Sequence, residues 1–217
     1  MKILSLSALL LAGACLTQPA VAKISDLLPL PKQVVAVKQT PFNLQRSVRL
    51  TDPTSCALLQ TVLTEAGATL SDDASATVTV EIVSEIPGAF NHSVNLFPDE
   101  AYSLDISSDA VVIRALNATG VIRAAQTLRQ LAEGYEEGSA AFECLQLSDW
   151  PAFKVRGFMH DVGRSFIPFD ELKKEIDLLS RFKVNVFHWH LTEKLAWRFE
   201  VKAYPQLTQA ENMTRYA

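Results

Sequence analysis

Two short polar clusters, Asp161-Val162-Gly163-Arg164 and His188-Trp189-His190-Leu191-Thr192-Glu193, each stand where an apolar run ends. A guanidinium at Arg164 presents a rigid fork of donors that suits vicinal hydroxyls or a carboxylate. The simpler alternative is an Asp161 to Arg164 ion pair that only shapes a loop. His188 and His190, two residues apart, share one face of a strand, and Glu193 follows at the strand's end. Two imidazoles and a carboxylate could meet a divalent cation. The plainer assignment is one interior histidine and one orienting group in a polar pocket. His-x-His by itself is a weak metal signal, because a metal-dependent barrel hydrolase would need further ligands from later strands. Trp197 beside Arg198 could wall a binding site, although packing is the commoner role for it, as for Trp150 and Trp189.

The elements around these clusters follow from periodicity. Val155 to His160 is a short apolar run, and its Gly157 suggests a strand closely approached by a neighbour. Pro168, with Asp170 and Glu171, marks a helix start, and Leu172, Ile176, Leu179 and Phe182 make the helical stripe. Lys183 to Trp189 is again a strand. Strand, helix, strand is one βαβ unit, and polar groups at the C-terminal ends of such strands stand where parallel α/β barrels place their chemistry.

Upstream, Asp52-Pro53 with Leu58, Leu59, Val62, Leu63 and Ala66 before Gly67 predicts a helix opened by the aspartate, with proline at its first position. Ala76 to Val83 alternates as a half-buried strand. Tyr102 to Ile106 and Val111 to Ala115 flank the turn Ser107-Ser108-Asp109-Ala110 as a hairpin. A second helix is expected over Thr119 to Glu133, a loop over Gly134 to Ser139 and a strand over Ala141 to Leu147. Residues 24–149 therefore read as an α+β domain with helices on one face of a small sheet. Ser148-Asp149-Trp150-Pro151 is the expected boundary.

The 217 residues carry 20 Lys+Arg against 24 Asp+Glu, a formal charge of −4, and are 48% apolar. That balance suits a globular protein, and the absence of a basic block argues against a nucleic-acid partner. Residues 1–22 read as a signal peptide: Lys2 is the positive start, Ile3 to Ala14 is apolar, and Ala20-Val21-Ala22 offers small residues for cleavage. Ala12-Gly13-Ala14-Cys15 offers a second possibility, lipidation of Cys15. Export, periplasmic or secreted, is expected, with no membrane span elsewhere. Cys56 and Cys144 are expected as buried thiols, a disulfide between them being the less favoured alternative.

The runs Trp150 to Phe166, Phe182 to Glu193, Trp197-Arg198-Phe199-Glu200 and Tyr204 to Thr208 together resemble the start of the catalytic barrel of glycoside hydrolase family 20, the β-N-acetylhexosaminidases. Thr119 to Leu131 and Leu28-Pro29-Leu30-Pro31 resemble a helix and the opening of that family's N-terminal α+β domain. The resemblance implies an α+β N-terminal domain followed, over residues 150–217, by the first βαβ unit of a (β/α)₈ TIM barrel. A full barrel needs roughly 250 residues. It also implies removal of terminal N-acetylglucosamine or N-acetylgalactosamine from a glycan substrate, with the substrate's own acetamide oxygen as nucleophile and with no metal or cofactor. In such enzymes an Asp-Glu pair from a later strand orients the acetamide and serves as general acid and base. That pair is expected downstream, so no catalytic residue is assigned here and the chain by itself is expected to be inactive. Arg164 matches the arginine that binds ring hydroxyls. Asp161, His190 and Glu193 match the surrounding polar network. Glu193 stands where aspartate is usual and Lys194 where a second aspartate is frequent, a departure that bears on sugar and linkage preference. The other readings are a metal-dependent barrel hydrolase and a non-catalytic carbohydrate-binding module built on residues 24–149.

Overall fold

A computed structural model describes residues 27–86, 97–133 and 141–214. The expected signal peptide, Cys15 and the loop Gly134 to Ser139 lie outside the described residues. Eleven strands and three α-helices are assigned among those described, in the order β1 Gln33–Ala36, β2 Phe42–Asn43, β3 Ser47–Thr51, α1 Ala57–Glu65, β4 Thr69–Leu70, β5 Ala76–Ile82, β6 Tyr102–Ile106, β7 Ala110–Ala115, α2 Ala118–Glu133, β8 Ala141–Phe142, β9 Leu145–Asp149, β10 Gly157–Asp161, α3 Phe169–Arg181 and β11 Val186–His190.

Seven strands form one mixed sheet in the order β1-β9-β6-β7-β5-β3-β4. The hairpin β6/β7 is antiparallel, while β3, β5 and β7 run parallel. Alternation puts Val78, Val80, Leu104, Ile106, Val111, Ile113 and Leu147 on the side of α1 and α2, where they share one buried cluster with Leu59, Leu63, Val121, Leu128 and Leu131. On the other side Arg114 pairs with Glu81 at 2.8 Å and reaches Asp105 at 3.7 Å, as suits a solvated face.

Several expectations are corrected. Helix α1 begins four residues later than expected, because Asp52 is spent on a turn: its Oδ1 accepts from Thr54 N at 2.8 Å and its Oδ2 from Cys56 N at 2.7 Å. Pro53 therefore precedes the helix, and Cys56 stands at its N-cap. The expected strand Ala141 to Leu147 is two strands: β8 pairs with β2, and β9 joins the large sheet and continues to Asp149. Gly157 is not a point of close approach, since a Cβ there would meet Val186 at an ordinary 3.7 Å. Cys56 and Cys144, by contrast, are both free and buried, as expected. Burial, with the Asp109 charge behind it, pushes the Cys144 thiol up, in the direction that favours the thiol over the thiolate.

β10 and β11 form a separate two-stranded parallel sheet, with Met159 opposite His188 and Asp161 opposite His190. Helix α3 crosses between them. Both α1 and α3 end on a left-handed residue, Gly67 at φ 99° and Lys183 at φ 60°. Glycine adopts that conformation freely, whereas lysine is strained there by roughly 1–2 kcal/mol. What holds Lys183 is its ammonium, buried against Asp149 Oδ2 at 2.7 Å and the Tyr102 hydroxyl at 2.8 Å. The start of β11 is thereby tied to the end of β9.

A second tie holds the start of β10. Arg156 donates to Glu100, to the Lys183 carbonyl at 2.8 Å and to the Phe153 carbonyl at 2.8 Å. Glu100 also receives Arg123 Nε at 2.6 Å and Asn185 Nδ2 at 3.4 Å. One carboxylate on the sheet unit thus gathers the residues that lead into both parallel strands. Burial alone would raise the Glu100 carboxyl, but the hydrogen bonds from Arg156 and Arg123 outweigh it and hold the group below its usual range.

Candidate functional site

β10 runs one residue further than expected, so Asp161 is its last residue, and register places it beside His190, the last residue of β11. Val162 N donates to the His190 carbonyl at 3.0 Å, extending the pairing into the loop. The β10 loop then turns so that Arg164 comes back over the strand ends. Asp161 Oδ1 accepts from Arg164 N at 2.9 Å, and Asp161 Oδ2 lies 3.0 Å from Arg164 Nε. Arg164 Nη2 reaches Glu193 Oε1 at 3.2 Å. The side chains of Asp161 and Glu193 are 17% and 25% exposed, against 64% for Arg164. The carboxylates are thus recessed and the guanidinium stands in front of them.

Glu193 is fixed by a tight turn. Its N–H donates to the Ala196 carbonyl at 2.9 Å, and Thr192 bridges to Trp197. The Lys194 N–H donates to Glu193 Oε2 at 3.0 Å. That backbone donor, and then the Arg164 guanidinium, lower the Glu193 carboxyl from its ordinary value. His190 Nε2 lies 3.5 Å from Glu193 Oε1 and, among the described residues, is a buried nitrogen without a hydrogen-bond partner. It is a polar atom at the edge of the cluster that a substrate hydroxyl could satisfy.

Asp161, Arg164, His190 and Glu193, all singled out from sequence, come together. His188 does not join them: its ring centre is 6.0 Å from that of His190, and the trio that could hold a metal is Asp161, His190 and Glu193, with ligand atoms within 4.8 Å of one another. The geometry fits a cation poorly, because Arg164 already occupies both carboxylates and adds a fixed positive charge where the ion would sit. His160 faces the helix instead, bonded through Nδ1 to Glu175 Oε2 at 2.6 Å. Trp189 stacks on Phe169, and Trp150 is buried, both in packing roles.

Gly163 carries no chemistry of its own but shapes the site. A Cβ at that position would lie 2.8 Å from Glu193 Cβ and 3.2 Å from Asp161 Oδ1, so only glycine lets the two loops touch. A glycine between an acid and an arginine was the available signal.

Two recessed carboxylates holding a guanidinium at the ends of adjacent parallel strands, behind an α+β unit, make an arrangement suited to sugar hydroxyls, and the comparisons with known proteins place it among the glycosyl hydrolases. The model of the family 20 catalytic domain matches residues 153–216, and that of family 20, domain 2, matches residues 25–150. The chain belongs to glycosyl hydrolase family 20. A β-hexosaminidase of Porphyromonas gingivalis is 42% identical over 117 residues, which are 51% of this chain and 15% of that protein. A β-N-acetylhexosaminidase of Cellulomonas fimi is 41% identical over 112 residues, 52% of this chain and 23% of that protein. The chain thus spans less than a quarter of the length of these two relatives. Among solved structures, the β-N-acetylhexosaminidase of Bacteroides fragilis superposes with a TM-score of 0.64 at 28% identity, covering 82% of this chain and 36% of that one. The exo-β-N-acetylglucosaminidase of Vibrio harveyi in complex with N-acetylglucosamine gives 0.66 at 27% identity, covering 88% and 29%. The mixed α/β architecture fits an N-terminal domain joined to part of a catalytic domain.

Proposed function

We propose that this chain is the N-terminal part of an exported exo-β-N-acetylhexosaminidase, released from a signal peptide over residues 1–22. Residues 24–149 form its α+β domain, and residues 150–217 supply the first βαβ unit of a (β/α)₈ barrel. Its substrate is a glycan ending in N-acetylglucosamine or N-acetylgalactosamine. The observation that carries this reading is the Asp161–Arg164–Glu193 arrangement, with His190 beside it, at the C-terminal ends of two paired parallel strands. That is the end of the strands where barrel enzymes bind substrate.

In this reading Arg164 donates paired hydrogen bonds to ring hydroxyls of the terminal sugar, and Asp161 and Glu193 fix the plane of its guanidinium. His190 Nε2 offers a further contact. The substrate's acetamide oxygen attacks the anomeric carbon as the aglycone oxygen takes a proton from a general acid; water then opens the oxazolinium intermediate. We assign the carboxylates for those steps to an Asp-Glu pair on a later strand of the whole enzyme.

The test uses the complete protein and a chromogenic 4-nitrophenyl N-acetyl-β-glucosaminide. Release of nitrophenol is expected, and Arg164→Met should lower kcat/KM by about 10–100-fold, the equivalent of one or two charge-assisted hydrogen bonds at ~1.5–3 kcal/mol in total. A folded complete protein that releases nothing from either the gluco or the galacto substrate would sink the assignment.

A further inference from the structure

At the opposite end of β10 and β11 lies a cavity of about 220 Å³, between the large sheet and the βαβ unit. Asp161 ends β10 and Arg156 precedes it, so five residue steps separate this cavity from the sugar site by roughly 15 Å at ~3.3 Å per residue. The mouth is apolar, formed by Pro29, Leu30, Pro151 and Phe153, with Leu30 60% and Phe153 71% exposed. The floor is charged.

Three recessed cations line that floor, Arg123, Arg156 and Lys183, with side chains 11%, 18% and 7% exposed, and a fourth, the solvent-exposed Lys32, also borders the cavity. Two carboxylates answer them, Glu100 at 14% and Asp149 at 7%. Among the recessed groups one positive charge is therefore left over in a poorly solvated place, where an uncompensated ion is costly. Burial depresses the Lys183 ammonium, and Arg123 and Arg156 act in the same direction against the opposing pull of Asp149.

Donors are left over as well. Arg123 gives Nε to Glu100 and Nη1 to Gln126, and its Nη2 has no acceptor among the described residues. Lys183 uses two of its three ammonium protons, on Asp149 and Tyr102. Trp150, 5% exposed, has a buried Nε1 with no partner among the described residues.

We propose that this cavity is a binding site for a small organic carboxylate with an apolar body. The carboxylate neutralises the surplus charge against Arg123 Nη2 and the Lys183 ammonium, and the apolar body lies between Leu30 and Phe153. A volume below the ~300–1,000 Å³ of drug-sized ligand sites limits the occupant to a single ring or short chain. The proposal is independent of the hexosaminidase reading.

The complete protein is titrated at low salt with benzoate and, in parallel, with benzamide, its neutral isostere, by calorimetry and thermal melting. Benzoate is expected to bind and to raise Tm while benzamide does neither, and Arg123→Gln is expected to weaken benzoate at least tenfold. Since Arg123→Gln also removes a contact to Glu100, Phe153→Ser provides a second variant that leaves the charged floor intact and should weaken benzoate several-fold. Equal responses to benzoate and benzamide overturn the proposal. So does silence toward millimolar benzoate, whether because the site binds nothing or because another part of the complete protein fills it, and so does benzoate affinity unchanged in Phe153→Ser.

Discussion

The large sheet and the strand pair β10/β11 are built from similar apolar residues and bury them to opposite extents. Leu104, Ile113 and Leu147 are at most 3% exposed, whereas Phe158, Met159 and Val186 are 39–54% exposed. The large sheet meets α1 and α2 on one face, so its inward side chains close a core from local sequence. The strand pair has only α3, packed beside Phe158–Phe187 and Phe169–Trp189 stacks, and its other face is left to water among the described residues. Apolar burial therefore holds the first unit. Polar ties at Glu100 and Lys183 hold the second to it. The same residue types do different work depending on what covers them.

The comparison is most sharply tested by paired truncations. In this 217-residue chain by itself, Leu104→Ala should cost about 2–5 kcal/mol in urea unfolding, as full-size cavities in closed cores do, while Met159→Ala should stay within about 0.5 kcal/mol. Equal costs would erase the distinction between the two units. Next in size, Lys183→Met leaves Asp149 buried without its cation and should cost on the order of 3 kcal/mol, a loss that Asp149→Asn in the same chain partly recovers. If the single and double variants match wild type, the polar ties are not what joins the units. The smallest effect is a pH dependence. Glu100 is held below its ordinary value in the folded state, so its contribution is complete above the unfolded carboxylate pKa and fades as pH falls through the lowered folded value. Denaturant midpoints measured from pH 6 to pH 3 should fall more steeply for wild type than for Glu100→Gln; parallel curves would remove Glu100 from the account.

These regions were also unequally legible. β5, the β6/β7 hairpin and α2 follow from alternation and helical spacing because each buries one face against a neighbour. β2 and β4, two residues each, carry no periodic signal. The break between β8 and β9 left only a phase slip as its trace: Phe142, Glu143 and Cys144 alternate, and so do Leu145, Gln146 and Leu147, but the two runs are one residue out of step. Asp52 looked like a helix cap because aspartate before proline serves equally in a turn. In the site, Asp161, Arg164, His190 and Glu193 were legible as polar residues ending apolar strands. Their assembly was not, because it depends on β10/β11 register and on a glycine whose role is to be absent of side chain. His188 shared a strand face with His190, but the parallel neighbour Asp161 supplied the nearer ligand atom, which spacing within one strand cannot reveal.

Gly163 has a further consequence for the shape of the candidate site. Besides the Asp161 carboxylate, its hypothetical Cβ meets the backbone nitrogen and Cβ of residue 193, so shortening Glu193 would not relieve the contact. The gap between the two loops is set by the main chain, and position 163 acts as its adjusting screw. A methyl group there would push the whole 193–196 turn outward and carry the carboxylate with it. Libraries that vary only the charged residues would leave the pocket's width untouched, whereas a single alanine at 163 would change it without altering one charge.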